Sequence, residues 1–104
     1  MLIAFVNQKG GVGKTTLAVH FTVWLHEAGK RVALIDSDGQ ASSSNWMRAA
    51  QPGVKLVVEH RADELIESVT RLSTAHDFVI ADGPANLSET TRALLLVADI
   101  AVIP

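Results

Sequence analysis

The apolar positions of this chain fall into short unbroken runs separated by longer stretches of helical spacing. Leu2-Ile3-Ala4-Phe5-Val6 is continuously apolar rather than alternating, the pattern of a strand covered on both faces within a parallel sheet. From Thr15 the spacing changes: Leu17, Phe21, Trp24 or Leu25, and Ala28 recur at helical intervals, and Gly29 stands where a helix C-terminus takes a left-handed residue. This predicts a helix over about 14–28, with Phe21 and Trp24 in the core. Arg31 to Ile35 reads as a second strand, ended by the polar stretch 36–44, and 45–50 as a short helix broken by Pro52-Gly53. Val54 to Val58 is a third, weaker strand. Leu65, Ile66, Val69 and Leu72 mark one face of a helix over about 62–73. Phe78 to Ala81 is a further buried strand running into Asp82-Gly83-Pro84; Ser88 can N-cap a helix to Val97, and Ile100 to Ile103 begins a last strand.

Strands alternating with helices imply right-handed βαβ crossovers, so the expected fold is α/β: a mainly parallel sheet with helices on both faces. No linker, repeat or low-complexity tract divides residues 1–104, which read as one nucleotide-binding unit. The last strand ends at Pro104 with no helix after it, so a fold truncated after the fifth strand is expected. Of the 104 residues, 48% are hydrophobic and 19% charged, enough for a core and too apolar for disorder. A net charge of -2 argues against a basic nucleic-acid-binding face. The absence of cysteine removes disulfides, thiolate metal sites and iron–sulfur clusters. No signal peptide opens the chain and no apolar run is long enough to cross a bilayer, so a soluble cytoplasmic protein is expected.

The chemistry concentrates in Lys9-Gly10-Gly11-Val12-Gly13-Lys14-Thr15-Thr16, between the first strand and the first helix. In a phosphate-binding loop, glycines let backbone N–H groups curl around phosphate oxygens, a lysine reaches the β and γ phosphates, and a Ser/Thr hydroxyl binds Mg2+. Gly10, Gly11, Gly13, Lys14 and Thr15 supply these parts at a helix N-terminus, whose dipole favours anions. The generic pattern places a glycine where this chain has Gln8, and adds no lysine at position 9.

That departure makes the loop resemble the deviant P-loop of the ParA/MinD family, Lys-Gly-Gly-x-Gly-Lys-Thr/Ser. Chance agreement at its six fixed positions is on the order of 10^-7 per start site. Asp36-Ser37-Asp38-Gly39-Gln40 is similar to the family's switch I, Asp-x-Asp-Pro-Gln, with Gly39 in place of proline; Phe78 to Asp82, then Gly83-Pro84, resembles its Walker B strand and switch II. The resemblance implies a SIMIBI-like P-loop NTPase with ATP and Mg2+ as cofactors. It places Lys9 to Thr16 and Asp36 around the nucleotide, and Thr15, Asp38 and Asp82 around the metal. Lys9, Lys14 and Asp38 serve hydrolysis, with Lys9 reaching the partner's phosphates in a homodimer formed on ATP binding and Gly11 permitting close approach.

Within the family the chain looks like the N-terminal half of a short plasmid- or chromosome-partition ATPase, to which Gln40 and Asn45-Trp46 also conform. That implies a ParB-like adaptor, non-specific DNA binding through a C-terminal half not present here, no membrane anchor, and nucleoid association of the full-length protein. The alternatives are a metabolic ligase of the cobyrinate or dethiobiotin synthase type, or a non-catalytic nucleotide-binding fragment. Missing cysteines and tyrosines argue against nitrogenase-reductase and tyrosine-kinase relatives. His20, His26, His60 and His76 lack ligand spacing, Trp46 reads as packing, and Arg48, Lys55, Arg61, Arg71 and Arg92 are scattered like solvated faces.

Overall fold

The computed structural model describes residues 1–6, 12–38, 42–84 and 88–104, with the side chains of Val12 and Ser42 outside that description. The elements run β1 (Leu2–Phe5), α1 (Val12–Glu27), β2 (Val32–Asp36), α2 (Ser42–Ala50), β3 (Lys55–Val58), α3 (Ala62–Ala75), β4 (Phe78–Asp82), α4 (Glu89–Val97) and β5 (Ile100–Val102). The strands form one sheet in the order β3-β2-β4-β1-β5, and every pairing is parallel. The fold is α/β, with the expected parallel sheet and helices on both faces.

The pleat explains the layering. Leu2, Ala4 and Val6 face one way and pack with Leu65, Val69, Leu72 and Leu94 of α3 and α4. Ile3 and Phe5 face the other way, onto Ala18, Val19, Leu25 and Met47 of α1 and α2. Because β1, β2 and β4 are covered on both sides, their sequences are unbroken apolar runs. Burying each Leu, Ile or Val contributes about 1.5–3 kcal/mol, so these two layers supply most of the stabilisation.

Two helix starts and one helix face differ from the sequence reading. α1 begins at Val12, inside the glycine loop, rather than near 14, because nothing in Val12-Gly13 prevents the helical turn. α2 begins at Ser42 rather than Asn45, since the Asp36 carboxylate accepts the Ser44 N–H at 2.9 Å and so caps the serine-rich first turn. Trp24 is not in the core: it is 61% exposed and stacks on Phe21 at 5.8 Å, while Leu17 is 47% exposed. The buried stripe of α1 is Ala18, Val19, Thr22 and Leu25, small enough to let the helix lie close to the sheet. Trp46 is 38% exposed and meets His20 edge-on at 5.6 Å, a packing contact at the surface. Ser88 caps α4 as expected, its Oγ accepting the Thr91 N–H at 3.3 Å.

Candidate nucleotide-phosphate site

All-parallel strands bring their C-terminal ends to one edge of the sheet, where loops carry ligands in open α/β folds. The register aligns Phe5 with Asp82 and Asp82 with Asp36, so the two carboxylates leave adjacent strands at the same level. Lys14 and Thr15 lie in the first two turns of α1, which follows β1. Lys14 is buried, and its Nζ donates to Asp82 Oδ1 and lies 3.8 Å from Asp38 Oδ2. Thr15 Oγ1 donates to Asp82 Oδ2 at 3.2 Å. Gly13 is exposed, with open space where a side chain would stand, and Thr16 is half-buried. The first amides of α1 lack intrahelical partners, so this end presents donors and a positive dipole to an anion.

The acidic residues have different environments. Asp36 is fully buried; its Oδ1 accepts the Asp38 N–H at 3.1 Å and its Oδ2 the Ser44 N–H, so it organises the segment after β2. Asp38 is 15% exposed and faces Lys14. Asp82 is buried, and burial pushes its carboxyl above the ordinary carboxylate range, although the Lys14 ammonium and the nearby Ser43 hydroxyl pull it down. Ser37 ties β2 to β4 by donating its N–H and Oγ to the Asp82 carbonyl at 3.0 and 2.9 Å.

Of the expected site residues, Lys14, Thr15, Asp38 and Asp82 come together here, with Asp36 directly behind. Lys9, Gly10 and Gly11 lie outside the described residues, as does the Val12 side chain. Sequence reasoning missed Ser37 and Ser43; their signal was one serine between the two carboxylates and another shortly after them, too common in loops to stand out.

The donors fit Mg2+. Asp38 and Asp82 set two carboxylates against the Lys14 ammonium, and the Asp36 carboxylate acts on Asp82 from the adjacent strand, an excess of negative charge suited to a divalent cation. Thr15 and Asp82 offer only oxygen, the ligand type this ion takes, and no group of three His, Cys, Asp or Glu able to hold a metal occurs among the described residues. Phosphate oxygens and water would have to complete the shell, as is usual for Mg2+ at nucleotides.

Such a loop, opening a helix beside a strand that ends in Asp, defines a P-loop NTPase fold. The chain belongs to the CobQ/CobB/MinD/ParA nucleotide-binding family, whose domain matches residues 3–100. It is 33% identical to the chromosome-partitioning ATPase Soj of Thermus thermophilus, with 98% of this chain and 53% of that protein covered. It is 38% identical to the maintenance of carboxysome distribution protein A of Gloeobacter kilaueensis, covering 99% of this chain and 48% of that one. A plasmid partition protein from Borrelia burgdorferi superimposes with a TM-score of 0.78 at 23% identity, over 99% of this chain and 64% of that chain. The chain thus spans about half the length of the curated relatives it matches. No helix among the described residues is long and apolar enough to cross a membrane.

Proposed function

We propose that this chain is the nucleotide-binding half of a ParA-type ATPase that binds Mg-ATP and hydrolyses it to ADP and phosphate as a switch for DNA partition. The observation that carries this reading is the meeting of Lys14, Thr15 and Asp82 at the C-terminal ends of adjacent parallel strands. Bound Mg2+ would neutralise charge on the phosphates, with Thr15 and Asp82 holding it. Lys14, freed from Asp82, turns to the β and γ phosphates, and residues 9–13 supply backbone donors. Asp38, 3.8 Å from Lys14, is assigned to orient an attacking water, since phosphoryl transfer needs alignment and charge neutralisation more than a strong base.

Lys9 is assigned to the phosphates of a second copy, which makes ATP-dependent homodimerisation part of the reading and hydrolysis by the monomer slow. A ParB-like adaptor and DNA contacts through a C-terminal half complete the switch, acting in the cytoplasm on the nucleoid. Soj is named for chromosome partitioning and the carboxysome protein for carboxysome distribution, which fits one ATP-driven switch serving different cargoes. No observation favours the ligase alternative.

Calorimetry of Mg-ATP binding, beside a Lys14→Ala control, tests the assignment. Binding by the unaltered chain that falls at least tenfold in the variant is expected. Equal binding by both would remove the phosphate loop from the function.

A further inference from the structure

Basic residues that stand far apart in the sequence meet at the end of the sheet opposite Asp36 and Asp82. Because every strand runs the same way, the C-termini of α1 and α3 come back to the edge where β2 and β3 begin. There His26, Lys30, Arg31, Lys55 and His76 line a cavity of about 350 Å3. Helix ends account for part of this charge, since the carbonyls of a helix C-terminus attract cations. His26 stands in the last turn of α1, and His76 Nδ1 donates to the Leu72 carbonyl of α3 at 3.0 Å. Lys55 does not fit that account, because it opens a strand. Lys30 and Lys55 are both exposed, and neither forms a salt bridge among the described residues. Arg31 holds Asp77 through Nη2, and no carboxylate is among the described residues that line the cavity. On a chain of net charge -2, this is a concave surface of one sign, which concentrates anions.

We infer that this cavity binds a small molecule bearing a diphosphate group. Size and charge select that class. The volume lies near the lower end of the roughly 300–1,000 Å3 of small-molecule sites, more room than a single phosphate fills. Three fixed cations less the Asp77 carboxylate leave two positive charges, and the two imidazoles add to them when protonated, which matches a diphosphate rather than a singly charged anion. Guanidinium and ammonium groups on separate elements can grip different phosphate oxygens, the first as a planar fork and the second as a point charge. The cavity lies across the sheet from Lys14, so it does not depend on the Mg-ATP reading.

Pyrophosphate titrations followed by proton NMR of the His26 and His76 imidazoles test this, because those rings report the cavity and not the phosphate loop. Saturable shifts of both rings are expected in the unaltered chain and again in Lys14→Ala. In Lys30→Ala/Lys55→Ala, affinity should fall about tenfold or more, while Lys30→Arg/Lys55→Arg keeps it. Thermal unfolding of the alanine variant should match the parent, since both lysines are exposed. Shifts that grow without saturation, or that are the same in the alanine variant, would mean unspecific screening and overturn the site. Shifts lost in Lys14→Ala would assign the anion to the phosphate loop and overturn it too. Shifts given by duplex DNA but not by pyrophosphate would replace the small ligand with a nucleic-acid backbone.

Discussion

At the scale of single residues, Gly83 governs how Asp82 is presented. Its N–H donates to the Phe5 carbonyl at 2.9 Å, and a Cβ there would stand 3.1 Å from that same oxygen, 3.2 Å from Val6 Cγ1 and 3.3 Å from Leu94 Cδ1. The requirement is close approach rather than an unusual backbone angle, since among the described glycines Gly29, not Gly83, has positive φ. The Phe5 carbonyl belongs to the central strand and cannot swing aside as a side chain tip could. Gly83→Ala is therefore expected to cost about 1–3 kcal/mol in urea denaturation, the usual penalty of overpacking. Because the crowded residue follows Asp82 directly, Mg-ATP affinity should fall along with stability. A variant as stable as the parent would show that β1 and β4 can separate at this level.

At the scale of elements, α1 separates what the sequence disclosed from what it did not. Both sides of this helix are apolar: Leu17, Phe21 and Trp24 on one, Ala18, Val19, Thr22 and Leu25 on the other. The larger side chains suggested the core, yet the small ones are buried, with Thr22 Oγ1 satisfied by the Ala18 carbonyl at 2.7 Å. Leu25→Ala should cost about 2–5 kcal/mol, as large-to-small core changes do. Trp24→Ser should stay within about 0.5 kcal/mol, as exposed positions do. Chemical denaturation of the two variants checks the order, and the reverse order would place α1 on its other face. The central strands β1, β2 and β4 were legible because double-sided burial leaves unbroken apolar runs, and α3 because only one of its faces is apolar. Lys14, Thr15 and Asp82 were legible as a motif at a strand-to-helix junction. The approach of Ser43 to Asp82 was not, since it depends on the register that sets Asp36 beside Asp82 and on the cap that pulls α2 back to Ser42.

At the scale of the whole molecule, the parallel sheet gathers the carboxylates at one end and leaves the other to be tied by different means. There the Met1 ammonium donates to the Asp77 carbonyl at 3.1 Å, and the Asp77 N–H donates to the Arg31 carbonyl at 2.7 Å. Arg31 returns its N–H to Asp77 Oδ2 at 2.9 Å and its Nη2 to Oδ1 at 3.0 Å, joining the entrances to β1, β2 and β4. Hydrogen bonds from the Arg31 side chain and backbone hold the Asp77 carboxyl at about 2, below its ordinary 3.8. Between those values the unfolded chain binds more protons than the folded one, so stability falls as pH falls. The contribution is fully present above about pH 4 and is lost as pH drops through about 2. The sign is opposite for Asp82, whose burial raises its carboxyl, so its ionisation opposes folding as pH rises above the ordinary carboxylate range. Asp77→Asn isolates the first effect: urea midpoints of parent and variant should differ most near pH 6 and converge toward pH 2. Arg31 and Asp77 are both exposed, so the separation should be small and shrink further in salt. Curves that stay parallel across this range would mean that the backbone exchange between Arg31 and Asp77, not the ion pair, ties this end of the sheet.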